Sequence, residues 1–99
     1  GSPKMNFLTG KLAADHGCET LGVRCEHIDV VLEGGMWRGK VVHAEDLGSD
    51  NYLFVEVGAD EPLIVRQEGK LAIQVGAELG LNPKDNKLYR FDAKGAPIH

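Results

Sequence analysis

Short apolar runs that alternate with polar residues recur along this chain, and turn-forming residues separate them. The segment 52–57 is the clearest, because Leu53, Val55 and Val57 fall on one face of an extended strand. Similar patterns predict further strands at 6–13, 20–24, 28–32, 39–45, 63–66, 71–75, 78–82 and 87–91. No stretch of useful length has a helical period. Closely spaced short strands are typical of a sandwich or small barrel, so the predicted fold class is all-β.

Composition narrows the classes of protein to which the chain belongs. Ninety-nine residues are expected to form one domain, or a piece of a larger chain, with a core that is not deep. A net charge of −4 and only three Phe, two Tyr and one Trp disfavour nucleic-acid binding, which needs a basic patch with stacking aromatics. There is no run of eighteen apolar residues and no signal peptide. We therefore expect a cytoplasmic protein in which Cys18 and Cys25 are reduced thiols.

Part of a nucleotide-binding motif is present after the third predicted strand. The G-x-x-x-x-G-K spacing of a P-loop is formed by Gly34, Gly39 and Lys40. However, Val41 stands where the motif needs a Ser or Thr to hold magnesium. The β-branched residues that follow also disfavour the helix whose free N–H groups would bind the phosphates. We interpret this segment as a glycine-rich hairpin turn joining two strands, with Trp37 partly packed on the barrel.

Two further groups of residues have types that are common in metal or catalytic sites. The zinc-ligand types form the pairs His16-x-Cys18 and Cys25-x-His27. The segment between the two pairs looks like a strand and the usual C-x-x-C spacing is absent, so we expect two unconnected thiols and two surface imidazoles. His43 and Glu45 lack an accompanying nucleophile or second carboxylate. We therefore predict that the chain is not an enzyme and that it binds neither a metal ion nor a cofactor.

Four segments resemble, in the same order, the region that follows the nucleotide-binding domain in the ATPase subunits of maltose-type sugar importers. GSPKMNFLTGKL is similar to G-S-P-x-M-N-F/L, and LGVRCEHIDV is similar to L-G-[IV]-R-P-E-H. GKVVHAEDLGSDNYLFVEV is similar to G-x-V-x-x-x-E-x-L-G-S-D, and KLYRFDAKGAPI to L-H-x-F-D-x-x-G. The resemblance implies that residues 1–99 are one C-terminal regulatory domain, or TOBE domain, with an OB-like β-barrel. The ATP-binding motifs of that family lie upstream of such a segment.

The resemblance also implies which residues regulate or contact partners. The two matched motifs contain Arg24, Glu26 and His27, and then Leu47, Gly48, Ser49 and Asp50. In this family the domain contacts its twin in the ATPase dimer and can receive a cytosolic regulator, such as a phosphotransferase-system protein. The parent subunit would use ATP and magnesium, and would lie on the cytoplasmic face of the membrane beside its permease subunits. A simpler interpretation stays open, namely a β-turn at 48–50 and a local ion pair between Arg24 and Glu26.

The chain departs from the family pattern in two places. Cys25 stands where the family usually has proline. Only residues 13–19 join the first strand to the second motif, where maltose-type members carry more strands, and shortened forms resemble the polyol and α-glucoside branch. A barrel with fewer strands has an unpaired edge, which predicts self-association through 13–24 or through 48–50. An alternative function is an oxyanion-binding module, because related barrels in molybdate systems bind oxyanions.

Overall fold

The structure is a computed structural model that describes residues 5–68 and 73–99. Within these ranges the strands are β1 Met5–Leu8, β2 Thr20–Arg24, β3 Ile28–Val31, β4 Trp37–Asp46, β5 Asp50–Glu56, β6 Leu63–Glu68, β7 Glu78–Pro83, β8 Tyr89–Phe91 and β9 Pro97–Ile98. One helical turn, α1 Lys11–Ala14, follows β1, and a 3-10 turn, Cys25–His27, joins β2 to β3. Both are too short to change the class of the fold.

The strands form two antiparallel sheets. The four-stranded sheet has the order β1-β2-β8-β9, and the five-stranded sheet has the order β3-β7-β4-β5-β6. The two sheets enclose one hydrophobic core, to which most of the strands contribute buried side chains. The chain is therefore an all-β, OB-like small barrel of short antiparallel strands, and the predicted fold class is confirmed.

The core follows from the alternation of apolar residues along the strands. On β5, Leu53 and Val55 are buried, and their cross-strand partners on β6, Val65 and Leu63, are buried as well. Registered partners of an antiparallel pair share one face of the sheet, so the inward positions of the two strands coincide. Trp37 at the start of β4 is only 5% exposed. It lies inside the core, whereas the sequence predicted that Trp37 would be only partly packed on the barrel.

The first predicted strand, 6–13, is wrong in its second half. β1 ends at Leu8, and Gly10 turns the chain with a φ of 70°, a conformation that suits glycine. The next residues then form one helical turn, in which the N–H of Ala14 donates to the carbonyl of Gly10 at 2.9 Å. Ala13 is fully buried in this turn. The short connection to β2 is thus compact and partly helical.

The glycine-rich segment 32–36 joins β3 to β4, but it is not a hairpin turn as predicted. Those two strands are not paired with each other, because β7 lies between them and pairs with both. The segment crosses the end of β7, where the N–H of Met36 donates to Oδ1 of Asn82 at 2.9 Å. A Cβ at Gly35 would lie 2.8 Å from the backbone nitrogen of Leu81. The close crossing therefore requires glycine at Gly35.

Two further expectations differ from the structure, and one strand was not expected. Of the predicted strand 71–75, residues 71 and 72 lie outside the described residues, and 73–75 lead into a turn rather than forming a strand. β9 was not predicted at all. The free edge expected at 13–24 is absent from the described chain, because β2 pairs with β1 on one side and with β8 on the other. The edges of the two sheets are instead β1, β9, β3 and β6.

Candidate functional site

The second predicted motif lies at the tip of the hairpin between β4 and β5. The N–H of Leu47 donates to the carbonyl of Asp50 at 3.0 Å, and the N–H of Gly48 donates to Oδ1 of Asp46 at 3.0 Å. Gly48 has a φ of 91°, so the turn uses the glycine for its left-handed conformation. Leu47 is 65% exposed and Ser49 is exposed. The tip therefore presents one large apolar side chain and a hydroxyl group to the outside.

Asp50 differs from the other residues of its motif, because it begins β5 and forms an ion pair across the sheet. Its Oδ1 accepts from Nη2 of Arg66 at 2.9 Å and from Nε at 3.2 Å. Both side chains are partly exposed. The hydrogen bond with Asp50 raises the pKa of Arg66, and the charge of the carboxylate adds to this shift. The guanidinium thus stays charged and holds the base of the hairpin against β6.

The first predicted motif lies on the other side of β6. The 3-10 turn Cys25–His27 packs against this strand, with Cys25 buried. Glu26 faces an open groove of about 320 Å³, which Arg66 also lines. The carbonyl of His27 accepts from the N–H of Lys84 at 2.8 Å, while its Nδ1 is buried with no hydrogen-bond partner among the described residues. Glu26 of the first motif therefore shares the groove with Arg66, which is the ion-pair partner of Asp50 in the second motif.

The groove follows the open side of the barrel, between the two edge strands of the five-stranded sheet, β3 and β6. Its charged lining consists of Glu26, Asp29, Arg66, Glu68 and Lys84. Each cation already has a carboxylate, since Nζ of Lys84 lies 2.9 Å from Oδ1 of Asp29 and Arg66 binds Asp50. The groove therefore offers no unpaired cation to a ligand. Its lining contains more carboxylates than cations.

Arg24 is not part of this groove. It ends β2 on the four-stranded sheet, opposite Met5 of β1. No ion pair joins Arg24 to Glu26 in the described part of the chain, so the local ion pair considered from the sequence is not formed. The R-x-E-H motif therefore spans two surfaces, with Arg24 on one sheet and Glu26 beside the groove.

The last two residues of the P-loop spacing lie on an extended strand, and Gly34 lies in the segment that precedes it. Gly39 and Lys40 belong to β4, which pairs with β5 and β7. The N–H of Val41 donates to the carbonyl of Ala77 at 2.9 Å, and the side chain of Val41 is buried. The backbone group that a phosphate would need is therefore used inside the sheet.

The residues of zinc-ligand type make contacts with the protein itself. Cys18 Sγ donates to the carbonyl of Ala13 at 3.4 Å, and the His16 ring contacts Trp37 edge-on at 6.3 Å between centroids. Across residues 5–68 and 73–99, no group of three or more His, Cys, Asp or Glu is placed to hold a metal ion. The His43 ring contacts the Phe54 ring in a tilted arrangement, with 5.0 Å between ring centroids.

Three residues were not singled out from the sequence: Arg66 and Lys84 of the groove, and Asn6 of β1, whose side-chain amide hydrogen-bonds the backbone of Ile64 on β6. Arg66 meets Asp50 only because β5 and β6 pair in one particular register, in which Asp50 faces Glu68 and Tyr52 faces Arg66. No motif spacing encodes such a cross-strand contact. Asn6 did carry a signal, because a polar residue on the inward face of a strand needs a hydrogen-bond partner.

Comparison with known sequences gives the family. The profile of the TOBE domain family matches residues 21–91, which include both predicted motifs, the groove and β8. With this match and the OB-like barrel, the chain belongs to the TOBE domain family. In the described residues no helix is long and apolar enough to cross a membrane.

Two relatives are named as ATP-binding proteins. The chain is 31% identical to the sn-glycerol-3-phosphate import ATP-binding protein UgpC of Psychromonas ingrahamii, over 94% of this chain and 31% of that protein. It is 30% identical to the protein of the same name from Rhizobium meliloti, over 96% of this chain and 32% of that protein. The chain thus spans about a third of the length of these relatives. The first alignment covers 117 residues against 99 in this chain, so that relative carries residues here that this chain lacks.

Proposed function

We propose that this chain is the regulatory and dimer-contact domain of the ATP-binding subunit of an ABC importer for sugars or polyols. The observation that carries the proposal is the TOBE family match over residues 21–91, together with two relatives named for import and ATP binding. The relatives are about three times as long as this chain, which leaves room for a nucleotide-binding domain elsewhere in the parent subunit. In the proposal, ATP and magnesium bind to that domain, and this chain performs no catalysis.

The parent subunit would act at the cytoplasmic face of the membrane, paired with a twin subunit and attached to permease subunits. The hairpin tip is the candidate for contact between the twins, because Leu47 is a large apolar side chain with 65% exposure beside the exposed Ser49. Contact of one hairpin tip with its symmetry mate would cover both leucines in a single two-fold interface. The ion pair between Asp50 and Arg66 would hold each hairpin in place for this contact.

The charges of the groove favour regulation by a protein and disfavour binding of a small oxyanion. An oxyanion site needs unpaired cations or free N–H groups, but Arg66 and Lys84 are each bound to a carboxylate. Glu26 and Glu68 add further negative charge to the lining. Equilibrium dialysis of the chain with molybdate distinguishes the two functions, and we expect no saturable binding.

Uptake measurements test the transport function. The parent gene would be deleted from the source organism, and uptake of radiolabelled sorbitol, maltose and sn-glycerol 3-phosphate would be measured before and after complementation. The last compound is included because both relatives are named for its import. We expect the deletion to abolish uptake of at least one compound and the full-length gene to restore it. Unchanged uptake of a whole panel of sugars, polyols and polyol phosphates would contradict the proposal.

A further inference from the structure

The outer face of the four-stranded sheet carries an exposed apolar surface. Strand register places Phe7 opposite Gly22, and Gly22 opposite Tyr89, so these residues share the outward side. Alternation along each strand adds the other members of the face. We call this surface the aromatic face, and its residues are Met5, Phe7, Thr20, Gly22, Arg24, Tyr89, Phe91 and Pro97.

The aromatic face is assembled around a glycine. A Cβ at Gly22 would lie 3.1 Å from the ring of Phe91, 3.6 Å from the sulfur of Met5 and 3.7 Å from the ring of Phe7. The absence of this Cβ lets the two phenylalanine rings approach to 6.4 Å between centroids, in a tilted arrangement. Phe7 is nevertheless 62% exposed and Tyr89 is 42% exposed. The rings are thus packed against one another while much of their surface faces outward.

Arg24 supplies the only charge among the residues of this face. It lies next to Met5 in the strand register, at one end of the apolar surface. No carboxylate of the described residues forms an ion pair with it. By contrast, the two cations of the groove, Arg66 and Lys84, each have a carboxylate partner. The aromatic face therefore combines exposed rings with a cation that has no counterion among residues 5–68 and 73–99.

We propose that the aromatic face is a docking surface for a second protein, one whose contact surface places a carboxylate among apolar side chains. Aromatic residues, Met and Arg are the types enriched in protein interfaces, and Arg, Tyr and Trp dominate the binding energy. The carboxylate would pair with Arg24, and the apolar groups would cover Phe7 and Tyr89. Docking on this face would depend only on the residues of the face and not on the parent being a transporter subunit.

Charge complementarity disfavours two other occupants. A second copy that used the same face would present its own Arg24 and no carboxylate, because the face contains neither Asp nor Glu. An anionic membrane surface attracts clusters of several Lys and Arg, whereas this face has one cation on a chain with a net charge of −4. The occupant that fits is a different protein surface, apolar with an acidic group.

A phage-displayed library of random peptides, selected against the intact chain, tests this proposal. We expect the wild-type chain to enrich peptides that combine aromatic or aliphatic residues with Asp or Glu. The Arg24→Glu chain should enrich Lys or Arg in place of the acidic residues, with the apolar preference retained. Phe7→Ala should weaken binding of the wild-type peptides at least tenfold. Because Phe7 is mostly exposed, this variant should keep the thermal unfolding midpoint of the wild type.

Two control variants lie outside the aromatic face. Leu32→Ala removes another exposed apolar side chain, 74% exposed, and Lys40→Glu reverses a charge on β4. Both should bind the selected peptides as the wild type does. The proposal is overturned if no peptide sequence is enriched, if enrichment by Arg24→Glu remains acidic, or if Leu32→Ala weakens binding as much as Phe7→Ala. Dimerisation of the chain that Phe7→Ala abolishes would assign the face to a second copy, and sedimentation with phosphatidylglycerol vesicles would assign it to a membrane.

Discussion

The side-chain amide of Asn6 forms two hydrogen bonds with the backbone of Ile64 and thereby joins the two sheets. Its Nδ2 donates to the Ile64 carbonyl at 2.8 Å, and the Ile64 N–H donates to its Oδ1 at 2.8 Å. Asn6 lies on β1 and Ile64 on β6, and each strand is an edge of its sheet. The amide therefore pairs part of an edge strand that has no backbone partner on that side. At the end of β1, the hydroxyl of Thr9 also donates to Asp60 at 3.0 Å.

Replacement of this amide should destabilise the barrel. The Asn6 side chain is only 6% exposed, and Asn6→Ala removes both of its hydrogen bonds. The N–H and the carbonyl of Ile64 then lack these partners. Loss of a partner from buried polar groups costs about 1–3 kcal/mol of the free energy of unfolding. Urea titration followed by circular dichroism measures this loss.

A second asparagine provides the control for this variant. Asn82→Ala removes an exposed hydrogen bond to the N–H of Met36, so it should reduce stability less than Asn6→Ala. Equal stability of the wild type and Asn6→Ala would show that the amide does not close the barrel.

Gly80 of β7 should not tolerate a side chain. A Cβ there would collide with the carbonyl oxygen of Gly34 and lie 2.9 Å from Cγ2 of Val31. Gly80→Ala forces the backbone of the crossing segment to move, which we expect to cost about 1–3 kcal/mol in the free energy of unfolding. In Gly22→Ala the new Cβ meets only side-chain atoms on the sheet surface, so the loss should be smaller. The stability of both variants can be measured by calorimetric unfolding. Equal stability of Gly80→Ala and Gly22→Ala would contradict this prediction.

The chain should bind no ATP, despite its P-loop spacing. Lys40 is an exposed residue of a paired strand, and the Val41 N–H is already bonded to Ala77. No loop of free N–H groups surrounds the lysine, so a triphosphate has nothing to hold it. Titration with a fluorescent ATP analogue should show no saturable signal, with the same result for Lys40→Ala. Saturable binding that Lys40→Ala removes would prove this prediction wrong.

The ion pair between Arg66 and Asp50 should stabilise the domain in a salt-dependent way. Arg66→Gln removes a charged donor from a partly exposed pair, so the unfolding midpoint should fall slightly in dilute buffer. At about 1 M salt, where charges are screened within roughly 3 Å, the difference should shrink. Lys11→Gln is the matched control, because the pair of Lys11 with Asp15 is much more exposed. An effect of Arg66→Gln that is the same at both salt concentrations would argue against an electrostatic role.

The sequence predicted those parts of the fold that depend on local pattern. The apolar alternation of residues 52–57 and 63–66 predicted β5 and β6, since inward side chains repeat every second residue along a strand. The turn at 48–50 was predicted from its residue types, although Asp50 already belongs to β5. Alternation alone does not distinguish a sandwich from a small barrel. The resemblance of the motifs predicted the OB-like barrel.

The parts that could not be predicted depend on contacts between distant segments. The helical turn at Lys11–Ala14 is a single turn, too short to show a periodic pattern. In the five-stranded sheet β7 lies between β3 and β4. The sequence of residues 32–36 contains no signal for this strand order. Likewise, the groove brings Glu26 and Arg66 together across forty positions of sequence through the packing of a 3-10 turn on β6. Only the folded chain reveals these relationships.

We propose that this domain helps to hold two ATP-binding subunits together. The test is sedimentation velocity of the full-length subunit without nucleotide, compared with the subunit lacking residues 1–99. The intact subunit should sediment as a dimer, and the shortened subunit should sediment as a monomer at the same concentration. In the intact subunit, Leu47→Glu should weaken the dimer, because it places like charges opposite each other at the hairpin tip. A dimer of equal strength with and without residues 1–99 would contradict the claim.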